Sequence, residues 1–75
     1  MAHFAEIKDN IVQRVLVVND NDEHRGQEFL AEDLGLGGTW IQCSYNGRIR
    51  GCYPGIGFIY DPVADVFVSP NKEVL

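Results

Sequence analysis

Ile7-Lys8-Asp9-Asn10-Ile11-Val12-Gln13-Arg14-Val15-Leu16-Val17-Val18 is the stretch whose reading decides the fold. Asp9-Asn10 stands between two apolar segments at the length of a two-residue hairpin loop. Folding the chain back there sets Ile7 opposite Val12, Glu6 opposite Gln13, Phe4 opposite Val15 and Ala2 opposite Val17. Like then meets like at most rungs, which is what a correct antiparallel register gives. The run Val15-Leu16-Val17-Val18 is apolar on both faces, the signature of a strand near the middle of a sheet.

Moving outward, Asn19-Asp20-Asn21-Asp22-Glu23 is a cluster of turn and capping residues. Its acids suit the positive end of a helix that should run to about Leu34, with Phe29, Leu30 and Leu34 as the apolar stripe. Gly35 sits where a left-handed cap would end that helix, and Leu36 is placed to fold back on Leu30 or Ala31. Thr39–Tyr45 reads as a strand ending at Asn46-Gly47, a strong hairpin signal, with Arg48–Tyr53 as its return strand. Gly51 and Pro54-Gly55 interrupt that strand early. Phe58-Ile59-Tyr60 and Asp65–Val68 flank Asp61-Pro62-Val63-Ala64, where Asp then Pro fits a type I turn. Ser69–Leu75 reads as a loose tail. The expected fold is α+β: an antiparallel sheet built of β-hairpins, in the order ββα then hairpins, with one helix packed on one face.

All 75 residues belong to one domain, because a chain this short does not divide into two cores. An apolar fraction of 45% places it among globular chains. A core this small supplies only a few kcal/mol, so a further staple is expected, and a homo-oligomer is the favoured one. With 11 acidic and 6 basic side chains the net charge is −5, which argues against nucleic acid as a partner unless positive charge is gathered into a patch. No stretch approaches the ~20 apolar residues that span a bilayer, so no membrane role is expected. The first residues lack the basic and apolar regions of a signal peptide and read as a cytosolic start. Cys43 and Cys52 in that setting read as free thiols, with a redox or inter-subunit bridge as the alternative. In the Asn46-Gly47 register they would be diagonal neighbours ~7–8 Å apart, too far for an unstrained disulfide.

Little in the chain offers catalysis. His3 and His24 are the only side chains that ordinarily titrate near neutrality, and neither has a nucleophile or orienting group in sight. Ser44 lacks a nucleophile-elbow context. Gly35-Leu36-Gly37-Gly38 follows a helix, where a phosphate loop would open one, and Gly55-Ile56-Gly57 reads as turn backbone. No cofactor or metal set is visible, and the chain reads as a non-enzyme. The densest cluster is Trp40, Tyr45, Arg48, Arg50, Tyr53 and Tyr60, which holds the only Trp and all three Tyr. Rings beside arginines serve a core, a protein interface or a stacking surface for single-stranded nucleic acid, and all three readings stand at this point.

Several segments together resemble short, uncharacterised proteins of tailed bacteriophages of the marine and cyanophage type. They are Met1-Ala2-His3-Phe4-Ala5, Val15-Leu16-Val17-Val18, Phe29-Leu30, and Leu34 through Trp40. Gln42-Cys43-Ser44-Tyr45-Asn46, Arg50-Gly51, Gly55-Ile56-Gly57, Tyr60-Asp61 and Asp65-Val66-Phe67 continue the pattern. The resemblance implies an origin and no catalytic residue. It leads to the expectation of a phage protein that binds a protein partner, as a virion or tail accessory or a small oligomeric module, in the host cytoplasm or the virion. The alternative is a small regulator that binds a host protein or nucleic acid during infection.

Overall fold

The computed structural model of the protein describes residues 1–70. Strands β1 (Ala2–Lys8), β2 (Ile11–Val18), β3 (Thr39–Cys43), β4 (Ile59–Asp61) and β5 (Val66–Val68) form a five-stranded antiparallel sheet in the order β3-β1-β2-β4-β5. One helical segment of 14 residues between β2 and β3 completes a small α+β fold.

The β1–β2 hairpin turns at Asp9 and Asn10, whose φ angles of 55° and 65° are the left-handed pair that a type I′ turn requires. Ile7 faces Val12 as the two-residue loop dictates. The register then slips between Glu6 and Ile7, so Glu6 faces Arg14, Phe4 faces Leu16 and Ala2 faces Val18. The pairings expected from an unbroken ladder, Phe4 with Val15 and Ala2 with Val17, are thus displaced by one residue. Gln13 is the extra residue of this bulge, and its amide donates to the Ile11 carbonyl at 3.1 Å. The slip sets the Arg14 guanidinium against the Glu6 carboxylate, Nε to Oε1 2.7 Å, where the unbroken ladder offers only Gln13.

The helical segment changes winding along its length. It is a 3₁₀-helix over Asp20–Arg25, α-helical over Gly26–Glu28, and π-wound over Phe29–Asp33. Arg25 ties the three windings together, meeting Asp22 at 3.2 Å, Glu28 at 3.6 Å and Asp33 at 2.9 Å. Gly35 ends the segment with φ 72°, as its position predicts. The Leu36 N–H folds back to the Leu30 carbonyl at 3.1 Å and the Gly37 N–H to Ala31 at 3.0 Å. Gln27 and Trp40 then lash the glycine connector to the helix. The Gln27 amide donates to the Gly38 carbonyl at 3.1 Å and accepts from the Trp40 backbone N–H at 2.5 Å, while the Trp40 indole N–H donates to the Gly37 carbonyl at 2.8 Å.

The sheet has an apolar core on each face. Under the helix lie Ala2, Phe4, Val18, Leu30 and Trp40; on the opposite face lie Ala5, Val12, Cys43 and Phe67. That second core is covered by residues 44–58, which contribute Cys52 and Phe58. Asn46-Gly47 does make a turn, with the Gly47 N–H bonded to the Ser44 carbonyl at 2.9 Å, but the expected return strand Arg48–Tyr53 does not form. Arg50 and Gly51 take φ angles of 56° and 88°, which bend the chain across the sheet face instead of along its edge. The diagonal placement of Cys43 and Cys52 falls with that strand, and Cys43 faces His3 across the β1–β3 ladder. The last hairpin forms, its Asp61 carboxylate accepting from the Val63 and Ala64 N–H groups at 3.0 and 3.2 Å, but Asp65, expected to open the return strand, lies in the turn with its N–H on the Asp61 carbonyl at 2.7 Å. Of the tail Ser69–Leu75, residues 71–75 lie outside the described residues.

Gly26 tests how the helix seats on the sheet. Its φ of −57° suits any residue, but a Cβ placed there falls 2.1 Å from the Phe4 ring. Ala is favoured over Gly inside a helix by ~1 kcal/mol, whereas overpacking a core costs ~1–3 kcal/mol or more. The clash at 2.1 Å decides the balance, so Gly26→Ala should lower unfolding free energy in urea. Adding Phe4→Leu should recover part of the loss; a Gly26→Ala protein as stable as the parent would contradict the packing.

Candidate functional site

The six residues of the aromatic and arginine cluster separate into three places. Trp40 is buried beneath the helix, with the Arg14 guanidinium 5.4 Å from its ring centroid, and belongs to the core. Arg50 and Tyr60 meet at Asp65. Tyr45 and Tyr53 meet at His3. Arg48 is exposed, and its side chain has no partner among the described residues.

Arg50 connects the two outer strands of the sheet. Its Nη1 donates to the Gln42 carbonyl on β3 at 2.9 Å, its Nε donates to Asp65 Oδ1 beside β5 at 2.8 Å, and its own carbonyl accepts the Phe67 N–H at 3.0 Å. The Tyr60 hydroxyl donates to the same Asp65 oxygen at 2.6 Å. The hydroxyl of Tyr60, and then Arg50, hold the Asp65 carboxyl below its ordinary range, while the bond to Asp65 pushes the Tyr60 phenol up. Arg50 Nε and Nη1, the Tyr60 hydroxyl and Asp65 Oδ1 are all engaged in these bonds, so the chemistry of the trio is that of a clasp.

The second group is a cluster of rings on the sheet face opposite the helix. His3 stacks on Tyr45 at 6.1 Å between centroids and meets the edge of Tyr53 at 5.5 Å; Tyr45 and Tyr53 are 5.5 Å apart. β1 supplies His3, and the 44–58 segment, folded over the sheet, supplies both tyrosines. Tyr45 is 76% exposed and Tyr53 36%. Beside them opens a shallow groove of about 270 Å³, whose wall includes Gln42, Cys43, Ile49 and Glu23. The Gln42 amide donates to the Glu23 carboxylate at 2.8 Å across the groove's edge. Burial pushes the Cys43 thiol up to about 11, against a small opposing pull from Arg50, and burial also raises the Tyr53 phenol. Cys43 is therefore a protonated, packed thiol at neutral pH, and both cysteines are free.

His3 and Asp65 are the members that sequence reasoning did not place. His3 joins the tyrosines only because β3 pairs with β1 and sets Cys43 opposite it, a long-range contact that no local pattern announces. Asp65 carries a trace of signal: it has φ 59°, a left-handed position at the end of a turn, where Asp is among the few tolerated side chains. Among the described residues no group of three or more His, Cys, Asp or Glu side chains is placed to hold a metal ion. No helix there is long and apolar enough to cross a membrane.

No family model, curated protein or solved structure matches the chain.

Two expectations follow. Native Cys43 should react with iodoacetamide at neutral pH only as fast as the protein unfolds, and labelling faster than unfolding, read by mass spectrometry, would contradict its burial. Asp65, with its native value held below the ordinary 3.8, contributes stability that is fully present above that pH and lost as pH falls through the lowered value. Asp65→Asn keeps a residue that tolerates left-handed backbone, so it should lower stability at neutral pH and flatten the acid limb. An acid limb as steep as the parent's, in urea unfolding at stepped pH, would remove Asp65 from the clasp.

Proposed function

We propose that this chain is a non-enzymatic phage protein that works by binding another protein, as a virion or tail accessory or a small oligomeric module. The observation that carries the reading is the His3–Tyr45–Tyr53 cluster, with Tyr45 left 76% exposed. Large rings held in place by one another lose little conformational freedom on binding, and Tyr is enriched where interfaces concentrate their energy. The neighbouring groove adds shape, and Glu23 and Gln42 supply polar groups for a rim. The buried state of Cys43 and the mutual bonding of Arg50, Tyr60 and Asp65 support a binding role over a catalytic one. The phage assignment rests on the sequence resemblance alone.

A benzophenone side chain substituted for Tyr45 tests this in cells producing the phage. Illumination should give one covalent adduct with a single protein, and Tyr53→Ala should abolish it while leaving circular dichroism unchanged. Mass spectrometry of purified virions then separates the two settings, since stoichiometric peptides identify an accessory of the particle. An adduct-free chain that is folded and abundant would overturn the reading of this face.

A further inference from the structure

Specific bonds engage part of each outer strand of the sheet. On the outer side of β3, the Trp40 N–H is taken by Gln27 Oε1 and the Gln42 carbonyl by Arg50. On the outer side of β5, the Phe67 N–H is bonded to the Arg50 carbonyl and its carbonyl receives the Cys52 thiol at 3.4 Å. The Trp40 carbonyl and Gln42 N–H have no partner among the described residues, and a longer exposed stretch lies on a strand that the sheet order places in the middle. β4 pairs with β2 at a single rung, Ile11 with Ile59, and its last bonds toward β2 are those of Phe58 and Gly57 with Val12. Beyond Gln13, β2 therefore has a strand neighbour on one side only among the described residues.

The parity of the ladder says which groups are left over. Val12 directs its N–H and carbonyl toward β4, and the bulge at Gln13 resets the alternation. Arg14, Leu16 and Val18 then bond inward to Glu6, Phe4 and Ala2, and the N–H and carbonyl groups of Val15 and Val17 point outward. No backbone partner for these four groups is present among the described residues. The bulge at Gln13 and the charge of Arg14 guard only the lower end of this edge; Val15–Val18 holds no proline and no charge, and Val17 is 48% exposed.

We propose that a second copy of this chain pairs antiparallel with this edge, Val15 of each copy bonded to Val17 of the other and Leu16 on the twofold axis. Two observations select a copy of the chain as occupant of this edge. Its length matches: the incoming strand leaves the sheet after Val18, before it would reach Gly57 and Phe58. Its bonding is self-complementary, since the two Val15–Val17 pairs satisfy all four outward groups of each copy. The twofold stands perpendicular to the sheet, which places both helices on one side and both ring clusters on the other. This contact is separate from the foreign partner proposed above, and neither reading requires the other.

Sedimentation of the intact chain across a wide concentration range should show its 8.4 kDa mass doubling as concentration rises. Amide exchange read by NMR should show the Val15 and Val17 protons becoming protected over the same range. Val17→Lys should return the mass to that of one chain at every concentration, with native circular dichroism, even though it lowers the net negative charge. Tyr45→Ala should leave the doubling intact. A single mass at all concentrations would overturn the proposal, as would a dimer whose Val15 and Val17 amides exchange as fast as in the dilute chain. Should Val17→Lys fail to fold, the exchange of the unaltered chain decides alone.

Discussion

The guanidinium of Arg50 reaches from the Gln42 carbonyl on β3 to the Asp65 carboxylate at β5, while the Arg50 carbonyl receives the Phe67 N–H. β3 and β5 are the first and last strands of the sheet, so one residue bridges both ends. For that to happen the sheet must curl, and the hollow of the curl is where Ala5, Val12, Cys43 and Phe67 are buried. Hydrogen bonds to a charged group contribute roughly 1.5–3 kcal/mol each when sheltered. The bond to Gln42 is part-buried, whereas Asp65 is largely exposed and its ion pair is correspondingly weak. The carbonyl contact to β3 is thus the stronger arm, and Asp65 with Tyr60 chiefly aims the guanidinium.

This clasp also explains why residues 44–58 form no strand. A return strand from Asn46-Gly47 would run along the outer edge of β3 and compete for the Gln42 carbonyl and the Trp40 N–H. Those two groups are already bonded to Arg50 and to Gln27, respectively. Bending at Arg50 and Gly51 carries the chain across the open face, where Cys52, Phe58 and the fully buried Pro54 close a core that the helix cannot reach. The loop thereby exchanges ladder bonds for apolar burial and, in the same movement, brings Tyr45 and Tyr53 over His3.

How much of this was legible follows from the range of each interaction. The Asp9-Asn10 turn, the Gly35 cap and the Asp61-Pro62 turn are set by φ preferences of adjacent residues, and each could be read locally. The bulge at Gln13 could not, because its advantage is an ion pair between Glu6 and Arg14 that exists only once the strands have met. Trp40 and Tyr45 are five positions apart, and an odd separation along an extended chain already sets them toward opposite faces. Composition left core, interface and stacking readings open for both; only the topology shows which face the helix covers, and so which ring belongs to the core. His3 was invisible for the same reason, as its partners arrive from more than forty positions away.

Val15-Leu16-Val17-Val18 shows a subtler division between composition and topology. The run is apolar on both faces, which is the pattern of a strand with neighbours on both sides. The sheet order agrees, with β2 third of five, but β4 is three residues long and meets β2 only beside the turn. The upper half of β2 therefore combines the side chains of a central strand with the backbone exposure of an edge. A domain of this size buries little surface per residue and is marginal on its own core. The chain thus places its most β-prone residues where the Val15 and Val17 backbone groups have no partner among the described residues, while Gln27 and Arg50 engage groups on its nominal edges.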